Sequence, residues 1–511
     1  MSSGAGGPGR GGEGTAGGSG SSGEHTSLRL VAASGAKWTS ASTGVMVLAQ
    51  LAQIAILARL LTPAEFGLAA TIIVIIGFAR TLGDVGLTQA IIARPEPAGP
   101  HLSSLYWLNA ILGASLAVLV LVTGPLITAL FAEPRLGPLL PLAALHFVIT
   151  PVGQQFQALL QKSLDFRTLA RIESVAAVCG PVAAVALAIS GVGAASIVGG
   201  FLVTAAVKAL MLAAVGWRTW RPTLRLRRDD LRGYLSFGAN HTGAHLVNYL
   251  GSNIDYIMVA RFLGAEALGV YAIVYQLISI PRLRLNPMLI KVAFPVFARR
   301  QHDDASLRRG YLGVSRLIAL ITFPAMAGMG ATAPYLVEVV FGSQWAASAP
   351  VLEVSVILGM LFALASVQTP VFLAKQRPDI TWKIGVARLV ALIAVLYAVV
   401  GLGLVAVAWG FVAVTAGTFV VGRLYLQRVI GLSWRAYLIA LREPALVALA
   451  MAAVVLVATP ALVGELGDDA LVFAAQVVLG VVVYGLLLVA VARRDVVEVW
   501  QLLLARRPRT S

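Results

Sequence analysis

The chain has 511 residues, 58% of them hydrophobic and 12% charged, with a mean hydropathy of +0.85. A soluble domain carries roughly a quarter charged residues, and here the apolar excess runs through nearly the whole length, which excludes a soluble enzyme and defines a polytopic membrane protein. The net charge of +16 does not make a nucleic-acid binder, because the cations fall in short loops between apolar runs and form no continuous face.

In chain order, residues 1–34 are a Gly/Ser-rich tail whose composition predicts disorder. The tail lacks the basic start and short apolar core of a cleavable signal. A membrane-spanning helix needs about 20 mostly apolar residues, and that ruler marks fourteen spans. They run Trp38 to Leu61, Phe66 to Ile92, Ser104 to Leu126, Leu139 to Leu160, Ile172 to Ser190, Ala194 to Val215 and Tyr234 to Val259. The rest run Leu268 to Val292, Val314 to Gly330, Val351 to Leu373, Ile384 to Val400, Leu404 to Val421, Ala445 to Leu462 and Ala470 to Val491. The single Cys179, inside an apolar run, leaves no disulfide or cysteine metal cluster to build.

The loops give an independent test, since short loops rich in Lys and Arg stay cytoplasmic. With the N-terminus inside, the inward loops hold 23 cations, among them the cluster from Arg218 to Arg232 in the middle of the chain, while the outward loops hold only Arg59, Arg135 and Arg261. Both termini are therefore expected in the cytoplasm, and the central basic linker has the composition that attracts anionic headgroups. The outward loops are too short for a catalytic domain, and no HExxH, GxxxxGK[ST] or elbow-placed GxSxG occurs.

Ala58-Arg59-Leu60-Leu61 with Gly67 recurs 202 residues later as Ala260-Arg261-Phe262-Leu263 with Gly269. Parallel repeats of this kind predict an all-α architecture of two six-helix lobes, residues 35–220 and 234–430. A basic linker at 221–233 joins them, and two further helices with a basic tail follow at 431–511. Halves of this sort rock about a site at the bilayer midplane.

With Arg59, Lys291 and Arg316, which stand at span ends, counted with the loops, five cations remain inside predicted spans, where a charge costs about 2.5–3.5 kcal/mol on insertion scales and so faces a partner or a wet cavity. Lys208 and Arg388 are read as snorkelling or pairing near helix ends. Arg80 and Arg282 lie near the middle of spans two and eight, again 202 residues apart, and facing one cavity they would clamp a phosphate or diphosphate. Arg284 is a further candidate for that clamp. The competing reading of Arg80 is an intrahelical ion pair with Asp84 at i+4. In span seven, His241, His245, Asn248, Ser252 and Asp255 recur at helical spacing, a stripe expected to line water, with proton coupling through the histidines or Asp255 as an alternative. The His241/His245 spacing suits a metal, yet no third ligand is near, so no metal and no cofactor is expected. Gln154, Gln155 and Gln157 beside Pro151 are weaker candidates. Eight tryptophans, Trp345 among them, fall near predicted span ends and read as interfacial anchors.

The stretch LAQIAILARLLTPAEFGLAATIIVIIGFARTLGDVGLTQAII, Leu51 to Ile92, resembles the opening of polysaccharide and oligosaccharide flippases in the multidrug/oligosaccharidyl-lipid/polysaccharide exporter superfamily. FGSQWAASAPVL, Phe341 to Leu352, is similar to that family's segment between spans nine and ten. The resemblance implies an inverted-V bundle in the bacterial plasma membrane. Such a bundle moves undecaprenyl-diphosphate-linked oligosaccharide from the cytoplasmic to the outer leaflet, beside polymerase and export machinery, with Arg80 and Arg282 placed to contact the diphosphate. A peptidoglycan-precursor flippase and a cation-coupled multidrug antiporter are the alternatives, the latter disfavoured by the basic character of the intramembrane charges. A membrane glycan polymerase is disfavoured by the short outward loops.

Overall fold

The computed structural model describes residues 44, 46, 48–83, 91, 101–231, 235–280 and 297–491. The N-terminal tail, Asp84, Arg282 and Arg284 lie outside the described residues, as does the side chain of His241. The described chain is α-helical with short 3-10 turns. In order the helices are α1 Leu48–Leu60, α2 Pro63–Gly83, α3 His101–Val122, α4 Gly124–Phe131, α5 Leu140–Lys162, α6 Phe166–Ile189, α7 Ala194–Gly216, α8 Arg228–Leu231 and α9 Leu235–Ile280. They continue as α10 Asp304–Ala331, α11 Ala333–Phe341, α12 Ser348–Ala365, α13 Gln368–Ala374, α14 Pro378–Val399, α15 Leu404–Ile430, α16 Trp434–Leu466 and α17 Asp469–Val491.

Among the described residues twelve helical segments are long and apolar enough to cross a membrane, not fourteen. The difference has two sources. Only Leu48–Leu60 of the first predicted span is described as a continuous helix, and predicted spans seven and eight run together as α9, which breaks at Gly264. Gly264 takes φ +85° and ψ 179°, a conformation that glycine adopts without Cβ strain.

Local sequence explains the helix starts. Thr62-Pro63-Ala64-Glu65 is a capping box: Glu65 Oε2 accepts from Thr62 N at 2.8 Å, Thr62 Oγ1 accepts from Glu65 N at 3.3 Å, and Pro63 occupies the first turn. Asp165, Asp303 and Ser433 cap α6, α10 and α16 in the same way. Several helices outrun their apolar stretch. Arg423, beyond the predicted span end at Val421 and so counted with the loops, stands inside α15. Charged residues near helix ends find water or a partner, so the apolar ruler ends before the helix does.

Helix packing follows one order in both halves. In the first, α3 packs on α5, α5 on α7 and α7 on α6; in the second, α10 packs on α12, α12 on α15 and α15 on α14. α16 and α17 pack on each other and on α10, and they present Leu446, Leu449, Leu456, Val478 and Val481 outward, as lipid-facing helices do.

The halves meet chiefly where α2 crosses the second arm of α9. A Cβ on Gly67 would collide with the carbonyl oxygen of Ala265, and a Cβ on Gly269 with that of Pro63. Both collisions join residues related by the 202-residue repeat, so the crossing is symmetric and requires glycine at each centre. A second contact lies beside it. Gln344 donates to the carbonyls of Ala58 and Leu61 at 2.6 and 3.2 Å, Trp345 Nε1 donates to Ala58 at 2.7 Å, and Arg59 donates to the carbonyls of Val339 and Val340. Trp345 is fully buried and meets Phe66 edge to face at 5.1 Å, so it is an interhelical tie and not the interfacial anchor expected of it. These contacts tie the α1–α2 turn to the end of α11 and the segment that follows it.

Candidate functional site

Two joined cavities lie along the first half, the larger of them also walled by α9 of the second. The larger, about 780 Å³, lies among α1, α2, α6, α7 and α9 and carries Gln50, Gln53, Tyr249, Asn253, Tyr256 and Gln276 on its walls. The smaller, about 380 Å³, lies among α2, α5 and α7 and carries Arg80, His146, Thr150, Gln154 and Gln157. Phe201, Thr204 and Lys208 line both and mark the junction. The larger compartment therefore offers mostly neutral amides and phenols beside the Glu173 and Lys208 charges, and the smaller offers Arg80 and Lys208 beside Gln154 and Gln157.

Arg80 stands on α2 about 25 Å along the axis from Pro63. Its side chain is exposed to the smaller cavity. Opposite it on α5, the His146 ring stacks on Phe201 at 4.9 Å, and Thr150 Oγ1 lies 3.2 Å from His146 Nε2 while donating to the His146 carbonyl at 2.8 Å. Gln154 and Gln157 reach the cavity, whereas Gln155 is buried and donates to the Leu102 carbonyl at 2.7 Å, a helix-to-helix tie. Pro151 stands inside α5 beside Arg80 and Pro181 inside α6 on the larger cavity wall, each removing one backbone donor from its helix.

Lys208 pairs with Glu173 at 3.3 Å, both half-buried. A pairing role was expected of Lys208, but its place on both cavity walls was not. Depth along the helices identifies the partner: Glu173 stands two turns into α6 and Lys208 two turns before the end of the antiparallel α7, so the charges meet at one level. The pair presents a dipole, and one lysine, at the junction of the two compartments.

The face of α9 that lines the cavity is Tyr249, Asn253 and Tyr256, adjacent to the stripe read from sequence. Tyr249 packs on Gly77 and donates to the Val74 carbonyl at 2.8 Å, bringing α9 against α2. His245 and Asn248 are exposed, while Asp255 is fully buried, which corrects the water-lining role expected of Asp255. Asp255 Oδ2 accepts from Tyr271 at 2.7 Å within a cluster that includes Tyr256 and Tyr275. Arg388, at the centre of α14 and not near its end, lies over the rings of Phe362 and Phe411 at 5.3 and 5.6 Å. No described group of three His, Cys, Asp or Glu residues is placed to hold a metal.

The central basic linker is docked. Thr223 N and Oγ1 donate to Ser103, Trp107 Nε1 donates to the Thr223 carbonyl, Ser104 donates to Asp230 at 2.6 Å, and Arg225 pairs with Asp230 at 3.1 Å. The Ser104 hydroxyl and then the Arg225 guanidinium hold the Asp230 carboxyl below its usual range.

A bundle of apolar helices, two halves packed in one order and joined polar cavities among the spans describe a multi-pass membrane protein. The family described as "Polysaccharide biosynthesis protein" matches residues 56–350. The teichuronic acid biosynthesis protein TuaB of Bacillus subtilis (strain 168) is 36% identical over 422 residues, covering 82% of this chain and 87% of that protein. The lipopolysaccharide biosynthesis protein WzxC of Escherichia coli (strain K12) is 34% identical over 422 residues, covering 82% and 85%. The chain thus belongs to the polysaccharide biosynthesis protein family, within the multidrug/oligosaccharidyl-lipid/polysaccharide exporter superfamily. In fold it is similar to the solved lipid II flippase MurJ in its inward closed conformation, with TM-score 0.69, 14% identity, and coverage of 90% of this chain and 99% of that one.

Proposed function

We propose that the protein is a flippase that carries an undecaprenyl-diphosphate-linked oligosaccharide from the cytoplasmic to the outer leaflet of the bacterial plasma membrane, for surface polysaccharide synthesis. The observation that carries this reading is the division of the cavity. Cations suit a diphosphate, neutral amides and phenols suit sugar hydroxyls, and the two sets sit in joined compartments.

In this reading both termini are cytoplasmic and the cavity opens inward, with the Gly67–Gly269 crossing and the Trp345 tie closing it on the outside. The diphosphate enters beside Arg80 and Lys208. Its charge weakens the hold of Lys208 on Glu173, because the lysine gains a second anionic partner. The glycan occupies the larger space near Gln50, Gln53 and Asn253. Release outside requires the two halves to part at the glycine crossing and close at the basic face, an alternating-access cycle. Arg282 and Arg284 on the second half complete the diphosphate clamp.

The test is a deletion strain complemented with wild type or Arg80→Ala, with each lipid-linked oligosaccharide assigned to a leaflet by an impermeant reagent. The expected result is a completed unit held on the cytoplasmic leaflet in the deletion strain and in Arg80→Ala, at normal protein level in the membrane. An unchanged pool and a normal surface glycan in the deletion strain would sink the flippase. Normal translocation by Arg80→Ala alone would remove Arg80 from the clamp.

A further inference from the structure

A separate cavity, about 560 Å³, opens where α10 begins and α15 hands over to α16. Its walls are Ala305, Arg308, Arg309 and Leu312 on one side and Gly431, Leu432, Ser433 and Ala436 on the other. No carboxylate stands among these residues. Arg308 is fixed in place because its Nη1 donates to the Ile430 carbonyl at 2.7 Å, and Arg309 is exposed with one bond to Ser306 Oγ at 3.2 Å. The nearby acids are engaged: Asp303 caps α10 through Ser306, and Asp304 pairs with Lys375 at 2.7 Å.

Behind the wall lies a third guanidinium. Arg423 is fully buried, donates through Nη2 to the carbonyls of Leu432 and Ser433 at 3.1 and 2.9 Å, and leaves Nε and Nη1 without a hydrogen-bond partner among the described residues. The backbone that forms one wall of the cavity is thus backed by a buried positive charge, and the N-terminal turn of α16 adds its dipole to the same point.

The cavity also borders the membrane. Ile439 and Leu446, on the same side of α16 as Ala436 at helical spacing, are 54% and 58% exposed. Exposed Arg442 stands between them at helical spacing, so exposed apolar side chains alternate with a further cation along the helix away from the recess, an arrangement that suits an anionic headgroup with its acyl chains.

We propose that this recess seats the phosphate of an anionic phospholipid headgroup between Arg308, Arg309 and the start of α16, with the lipid's chains along the outer face of α16. Basic pockets between spanning helices recognise anionic headgroups in this manner. The docked linker cannot take this role as readily, because Arg225 is already committed to Asp230. A bound lipid would bridge α10 to α16 and fix the C-terminal helix pair against the second half.

Native mass spectrometry of the full-length protein in a non-ionic detergent, titrated with phosphatidylglycerol, phosphatidylcholine or inorganic phosphate, tests the assignment. Wild type is expected to retain phosphatidylglycerol in preference to phosphatidylcholine. Arg308→Gln/Arg309→Gln should weaken that binding on the order of thirtyfold, given about 1 kcal/mol for each cation at a membrane surface. Arg309→Gln alone, at an exposed side chain with little structural role, should weaken it several-fold, while Arg218→Gln/Arg221→Gln leaves it unchanged. Equal retention of the two lipids, or equal phosphatidylglycerol affinity in wild type and Arg309→Gln, overturns the proposal. Displacement of the lipid by inorganic phosphate assigns the recess to free phosphate and overturns it as well. The readout is binding, so it stands or falls apart from translocation.

Discussion

The two halves share a packing order but use their buried charges differently. In the first half Arg80, Lys208 and Glu173 stand on cavity walls with water-sized space in front of them. In the second half, among the described residues, Asp255, Arg388 and Arg423 are enclosed by tyrosine, phenylalanine and tryptophan rings. A charge on a cavity wall keeps its hydration and is available to a ligand, whereas an enclosed one has already exchanged water for fixed partners. Repetition of a fold therefore does not imply repetition of a role. The described charges of α2, α6 and α7 face the joined cavities, to which α9 of the second half adds only the neutral Tyr249, Asn253, Tyr256, Tyr275 and Gln276, whereas Asp255, Arg388 and Arg423 tie helices of the second half to one another.

The largest effect expected from breaking this comparison is at the one place where the halves are equivalent. Gly67→Leu and Gly269→Leu each push the same two backbones apart, so each should reduce translocation to background, and the double variant should be no worse than either single one. The side chain of Ala58, fully buried beneath Trp345, reports the state of the closure. In a Cys179→Ala background, Ala58→Cys should resist an impermeant thiol reagent and become reactive once Gly67→Leu is added. Continued protection would show that the crossing does not seal this face.

Next in size is the contrast between a cavity cation and an enclosed one. Arg423 lies 4.6 Å from the ring of Tyr437 and 5.3 Å from that of Trp434, and its guanidinium satisfies two carbonyls between α15 and α16. Truncation removes charged hydrogen bonds worth about 1.5–3 kcal/mol each and leaves a void, offset in part by relief of a desolvated charge. Arg423→Ala should therefore destabilise the purified protein by about 2–4 kcal/mol, and Arg423→Met by less because the side-chain volume is kept. Arg80→Ala, at an exposed site, should leave Tm within error while abolishing translocation. Thermal unfolding of the variants side by side decides the matter, since an equal loss of Tm in Arg80→Ala and Arg423→Ala would erase the distinction between the halves.

Much of this was legible in the sequence because hydrophobic length and loop charge are local properties. The 202-residue repeat was legible too, and Gly67 and Gly269 turn out to be its structural centre, although nothing in the sequence says that the two glycines touch. What escaped were features set by rotation about a helix axis and by pairing between helices. On α9 the cavity takes Tyr249, Asn253 and Tyr256, one position along from the stripe of histidines and Asp255, and polarity alone does not distinguish neighbouring faces. Arg423 was counted with the loops because the apolar run ends near Val421, yet aromatic rings from α16 enclose it within the helix. Trp345 looked like a membrane-interface residue because its partner, the Ala58 carbonyl, is 287 positions away.

The smallest expected effect concerns the clasp between the halves. Asp230 accepts from Ser104 and pairs with Arg225, and its carboxyl is held below the ordinary range. A group with a lowered folded-state pKa contributes stability that is present above the unfolded value of about 3.9 and disappears as pH falls through the folded value. Asp230→Asn should therefore speed tryptic cleavage after Arg225 and Arg227 by a constant factor from pH 8 to pH 5, with the gap closing only in stronger acid. The change in Tm should be small, on the order of 1 °C, because the pair is part of a solvated surface network. Equal cleavage rates of the two proteins at neutral pH would mean that Ser103 and Trp107 hold the linker without the carboxylate. The basic segment between the halves would then be docked by neutral hydrogen bonds alone.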